Sequence, residues 1–160
     1  MLRQSRSQKQ GAITRFVLGL LLAAVGPASD AVSAEALGYY QETLNVSCNN
    51  LSICYLNFPP VPSPKNVVLT KVNCRINANG TNALYAPVLG TKNSGGSNLG
   101  RTSFIGTPVF HATLGGVRVF VLNGEVLHVI NATQIPFVAI PISGTPTSFS
   151  AQCSIGGQIR

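Results

Sequence analysis

Glycine and proline punctuate this chain so densely that helices have little room to form. Beyond residue 34 they take 22 of 126 positions, and the apolar segments between them are short and rich in Val, Ile, Thr and aromatic residues. Proline lacks the N–H that a helix interior or central strand requires, and glycine weakens both by its conformational freedom. Short apolar runs between such breakers read as strands. The expected fold is all-β: one antiparallel β-sandwich of about eight strands over residues 35–160, jelly-roll or Ig-like in general shape. Only 9% of the chain is charged, which argues against a coiled coil or a long solvated helix.

Residues 1–34 have a different character. Arg3, Arg6, Lys9 and Arg15 form a basic leader without an acid, followed by the apolar run Phe16 to Val25 and by small residues ending Val32-Ser33-Ala34. That order is expected for a secretory signal peptide cut after Ala34, with Ala31 the second choice. The apolar run is too short to span a bilayer, so no integral membrane segment is expected after cleavage. The expected destination is a periplasm or the cell exterior. Without the leader the chain keeps seven basic and three acidic residues, a net charge of +4, and contains no Asp.

All four cysteines (Cys48, Cys54, Cys74 and Cys153) follow the leader, and an even number in an exported chain reads as a disulfide framework. In Val72-Asn73-Cys74-Arg75-Ile76 and Ala151-Gln152-Cys153-Ser154-Ile155 each Cys lies on the apolar side of an alternating strand. The favoured pairing is therefore Cys74 with Cys153 and Cys48 with Cys54. Zinc is disfavoured, because no C-x-x-C pair exists and no His lies near a Cys.

Strands are expected at Ile53 to Phe58, Val67 to Asn77, Ala83 to Leu89, Phe137 to Ile142 and Ser148 to Ile155. In the second, Val68, Thr70, Val72, Cys74 and Ile76 share the apolar face, with Val67, Leu69, Lys71, Asn73 and Arg75 opposite. Ala34 to Thr43 reads as a short helix or a frayed lead-in. Gly90 to Gly100 lacks apolar side chains except Leu99 and reads as a mobile loop, with Lys92, Asn93, Ser94, Ser97, Asn98 and Arg101 as candidate binding residues.

Val117 to Ile130 reads as a hairpin turning at Asn123-Gly124, a dipeptide suited to positive φ angles. Its two faces would then both be largely apolar. Arg118, Phe120, Leu122, Leu127 and Val129 on one of them are candidate interface residues.

Several chemistries lack their residues. Without Asp a Ser-His-Asp triad cannot be built, and the three remaining Glu are poorly placed for a glycosidase pair or a calcium loop. No phosphate-binding glycine loop opens a helix, and no aromatic-basic motif suggests nucleic acid. His111 and His128 are expected to share no site, and no cofactor or metal is implied. The expected function is a non-enzymatic exported module that binds a partner protein or an envelope polymer through loops or a strand edge. Self-assembly into a homo-oligomer and a hydrolase using Ser or Cys with His and Glu are the alternatives.

Overall fold

The structure, a computed structural model, describes residues 38–160; the leader expected over residues 1–34 lies outside the described residues. Nine strands and no helix occupy the described part: β1 (Tyr39–Ser47), β2 (Ile53–Asn57), β3 (Val67–Asn79), β4 (Val88–Lys92), β5 (Asn98–Phe104), β6 (Val109–Leu114), β7 (Val117–Ile130), β8 (Ile135–Pro141) and β9 (Phe149–Ile159). They form a five-stranded sheet in the order β1-β9-β3-β7-β6 and a four-stranded sheet in the order β2-β8-β4-β5, with every ladder antiparallel. The expected all-β sandwich is the observed architecture.

Inward residues of both sheets meet in one core. Leu69, Val72, Ile76, Phe120, Leu122, Phe149 and Ile155 come from the five-stranded sheet, and Leu56, Leu89, Val138 and Ile140 from the four-stranded one. Each fully buried side chain of this size contributes about 1.5–3 kcal/mol relative to exposure. Cys74 and Cys153 are directly opposed on β3 and β9, with Cα atoms 4.1 Å apart, and are joined by a disulfide. Cys48 and Cys54 form the second disulfide, tying the end of β1 to β2 and so one sheet to the other.

The strand expected at Ala83 to Leu89 begins only at Val88, and three further expectations need correction. Asn123-Gly124 is not a turn: β7 runs unbroken through it, because β3 is long enough to pair with β7 from Val67↔Ile130 to Asn79↔Val117. Gly124 has no positive φ and serves close approach instead, since a Cβ there would collide with Ile105. The true hairpin turn is Gly115-Gly116 between β6 and β7, where both residues have positive φ (57° and 81°) and Leu114 pairs with Val117.

The second concerns β3, where a bulge between Leu69 and Lys71 resets the alternation. Val67 and Leu69, expected outside, are therefore buried together with Val72, Cys74 and Ile76. Third, the region expected to be a helix or lead-in becomes strand from Tyr39 onward, because β9 offers β1 a nine-residue ladder from Tyr39↔Gln158 to Ser47↔Ser150.

Candidate functional site

Two surfaces carry chemistry: a groove between β5 and β7, and the outer face of the four-stranded sheet. The groove exists because β6 covers β7 only from Val117 to Val121. Beyond that point the edge of β7 faces β5 across a cavity of about 390 Å³ lined by residues 100–103 and 127–129. His128 projects inward at its floor and is buried. Its Nε2 lies 2.7 Å from Thr91 Oγ1 and its Nδ1 2.7 Å from Ser103 Oγ, so one ring links β7 to β4 and β5.

The Thr91 hydroxyl is fully buried, and its hydrogen is satisfied when it donates to Nε2. Donation the other way, from Nε2 to Thr91 Oγ1, leaves Nδ1 as an acceptor for Ser103; with Thr91 as the donor the imidazole proton lies on Nδ1 and is given to Ser103 Oγ, while the Ser103 hydrogen turns toward the groove. In this tautomer Nδ1 cannot accept a proton from Ser103. Burial holds the His128 pKa below its ordinary value, and the positive charge of Arg101 pushes in the same direction. A neutral ring in a hydroxyl-imidazole-hydroxyl chain is the result. Glu125 alternates to the other side of β7 and is exposed, so it does not complete a charge-relay arrangement with His128. His111 lies elsewhere, at the β6 bulge, lining a cavity with Arg75 and Val119.

The second surface follows from alternation in the four-stranded sheet. Cys54 and Leu56 point inward, so Tyr55 points out; Leu89 points inward, so Val88 and Gly90 point out. The register aligns Tyr55, Ala139, Val88 and Phe104 in one row across β2, β8, β4 and β5. Tyr55 is 46% exposed and Phe104 64%, while Tyr85, 56% exposed, extends the face where its N–H donates to the Pro141 carbonyl. Gly90 is required in the neighbouring row: the Phe137 ring lies where its Cβ would be. Lys92 Nζ sits 5.3 Å from the Tyr55 ring centre and 5.2 Å from that of Phe137, and donates to Asn57 Oδ1 at 2.6 Å.

The residues of the expected Gly90 to Gly100 loop do not converge. Strands β4 and β5 absorb most of that segment, because β8 and β5 pair with it on both sides, leaving a short connection at residues 93–97. Within it, Asn93 Oδ1 accepts the Ser97 N–H at 2.8 Å, so that side chain closes the turn. Ser94 borders a separate apolar cavity beside Pro60 and Pro62. Asn98 Oδ1 accepts the Gly100 N–H at 2.9 Å, Arg101 lines the groove, and Lys92 belongs to the aromatic face.

Nor do the five expected interface residues share a face. Phe120 and Leu122 are core residues, Leu127 and Val129 are exposed on the outside, and Arg118 stacks 4.9 Å from the Phe120 ring centre and donates to the Asn82 carbonyl. Removing the turn at Asn123-Gly124 preserves strand parity and so separates them.

Sequence reasoning missed Thr91, Ser103, Tyr55, Tyr85 and Phe104. Tyr55 was within reach, since the alternation around Cys54 already places it outside. The Thr91–His128–Ser103 chain joins three strands from two sheets and has no local signal. No protein-family model matches the chain, and no curated protein matches it.

Proposed function

We propose that this is an exported, non-enzymatic binding module whose docking surface is the outer face of the four-stranded sheet. The observation carrying this reading is the exposure of Tyr55, Tyr85 and Phe104 together on that face. Exposed aromatic side chains grouped on one sheet face favour contact with a partner over permanent hydration. Export is supported by the leader-like residues 1–34 and by two disulfides; among the described residues no helix is long and apolar enough to cross a membrane. The non-enzymatic reading is supported by Glu125, which lies on the other side of β7 from His128 and leaves the Ser103–His128 pair without that carboxylate.

Hydroxyl-radical footprinting tests the surface. Purified protein mixed with the insoluble envelope fraction of its source cells is expected to show reduced oxidation of Tyr55, Tyr85 and Phe104, with exposed Tyr39 unchanged. Equal oxidation with and without that fraction rejects the docking surface. A fluorophosphonate probe is expected to leave Ser103 unmodified; labelling that Ser103→Ala abolishes would establish a reactive serine and end the non-enzymatic reading.

A second reading, self-assembly, is favoured by the uncovered half of β7, where Leu127 is 78% exposed beside an open ladder edge. Sedimentation then shows an oligomer that Leu127→Asp dissociates. A monomer at all concentrations excludes it.

A further inference from the structure

We propose that the aromatic face binds an acidic polysaccharide, an inference that rests on this face being the docking surface. The rings are spread along the sheet and not gathered into a pocket: Tyr55 and Phe104 are separated by three strand spacings, about 14 Å. Such spacing suits an extended ligand with repeated apolar faces. Sugar rings have such faces, whose polarised C–H groups meet the negative face of an aromatic ring. Their hydroxyls need donors and acceptors beside the rings, and Asn57 and Thr102, both exposed, flank the row.

Charge selects the acidic class. Among the described residues the side-chain carboxylates are Glu42 and Glu125, both on strands of the five-stranded sheet. The four-stranded sheet carries no carboxylate, and its aromatic face carries Lys92, while Arg101 of β5 lines the groove beside His128. Lys92 is held against Tyr55 and Phe137 and gives one N–H to Asn57, leaving two donors for a ligand carboxylate. An anionic lipid surface is a poorer match, because such surfaces are read by clusters of several Lys and Arg. An acidic peptide would call for paired strand edges or an Arg cluster, and this surface is a sheet face.

Affinity electrophoresis of the folded, disulfide-intact protein through gels containing polygalacturonate or alginate tests the assignment, with dextran as the neutral polymer. Retardation is expected in the acidic polymers alone. Tyr55→Ala and Phe104→Ala should each raise the dissociation constant by about tenfold, the loss of one ring contact. Lys92→Gln should weaken binding several-fold and reduce its dependence on salt. Circular dichroism and the mass of the oxidised protein confirm that each variant folds.

Equal retardation by dextran overturns the acidic class. No retardation, or retardation that all three substitutions leave unchanged, overturns the proposal. If envelope material protects the rings but neither polymer binds, the glycan fails while the docking surface stands. A dimer that Phe104→Ala dissociates assigns the face to a second copy of the chain and also overturns it.

Discussion

Across the outside of the five-stranded sheet, Thr43, Ser154, Asn73 and Asn123 stand in one row on β1, β9, β3 and β7; across the four-stranded sheet the equivalent row is Tyr55, Ala139, Val88 and Phe104. Both sheets send apolar side chains into the same core, yet their outer rows have opposite chemistry. Thr43 and Ser154 share a hydrogen bond of 2.7 Å, and Asn77 reaches Ser150 on the same sheet. Polar side chains of this kind are satisfied by one another and by water, so that row requires no partner, although Leu127 and Val129 further along β7 leave apolar side chains exposed on the same side. On the other sheet the rings cannot be satisfied by water in the same way. The inner faces are therefore about folding, and the contrast between these two outer rows separates side chains suited to solvent from side chains suited to contact.

The largest expected effect concerns which sheet carries stability. Replacing Cys74 and Cys153 by Ala opens a long loop, their sequence separation being 79, and should destabilise the protein by about 4–5 kcal/mol in the loop-entropy model. Replacing Cys48 and Cys54, separated by 6, should lose only about 2 kcal/mol. Urea denaturation of both double variants measures the difference. Equal losses would show that the tie between the sheets matters as much as the staple inside the larger one.

Glycine substitutions sharpen the comparison next. A Cβ at Gly157 would strike the backbone of Val68 and Leu69, beside the β3 bulge, where nothing can rotate aside. At Gly90 it would strike the Phe137 ring, a side chain able to tilt outward. Gly90→Ala is expected to lose about 1–3 kcal/mol and Gly157→Ala more. Thermal unfolding that ranks them the other way would mean that the Phe137 ring is locked in place.

A smaller effect comes from His128, which joins the two sheets through Thr91 and Ser103. Because burial lowers its folded-state pKa, the unfolded chain binds the proton more readily below about pH 6.5. Stability from this residue is complete above that pH and is lost as pH falls toward the depressed folded value. Melting temperature should therefore drop between pH 7 and pH 5, and His128→Gln should flatten part of the drop. An unchanged slope in that variant would assign the acid sensitivity to other groups.

The smallest effect on stability is expected at the rings themselves. Tyr55→Ser and Phe104→Ser remove exposed side chains and should change unfolding free energy by no more than about 0.5 kcal/mol. A loss above 2 kcal/mol would make the rings part of the folded framework and remove the contrast with the polar row.

Legibility followed range. Alternation within a strand was readable wherever the ladder was regular, as around Cys74 and Cys153, and it failed at Thr70 because a bulge is decided by what β7 and β9 offer opposite it. Asn123-Gly124 has the composition of a turn, but a 14-residue strand paired along β3 outweighs two residues' turn preference. Gly115-Gly116 carries an equally good local turn signal, and the ladder from Val109↔Val121 to Leu114↔Val117 is what makes it the hairpin turn. Of the surface sites, only the outward direction of Tyr55 was accessible from local pattern; its neighbours Ala139, Val88 and Phe104 come from strands remote in the chain.

By itself the sequence determined that this chain builds short strands, that Cys74 and Cys153 point to the core side, and that acid chemistry is scarce. Those properties depend on neighbouring residues, on glycine and proline limits, and on side-chain type. Tertiary structure alone decided which strands are neighbours, and so which outer row collects rings and which collects amides and hydroxyls. It also decided that Thr91, His128 and Ser103 would meet, because cross-strand register is a property of the assembled sheets and no segment of the chain contains it.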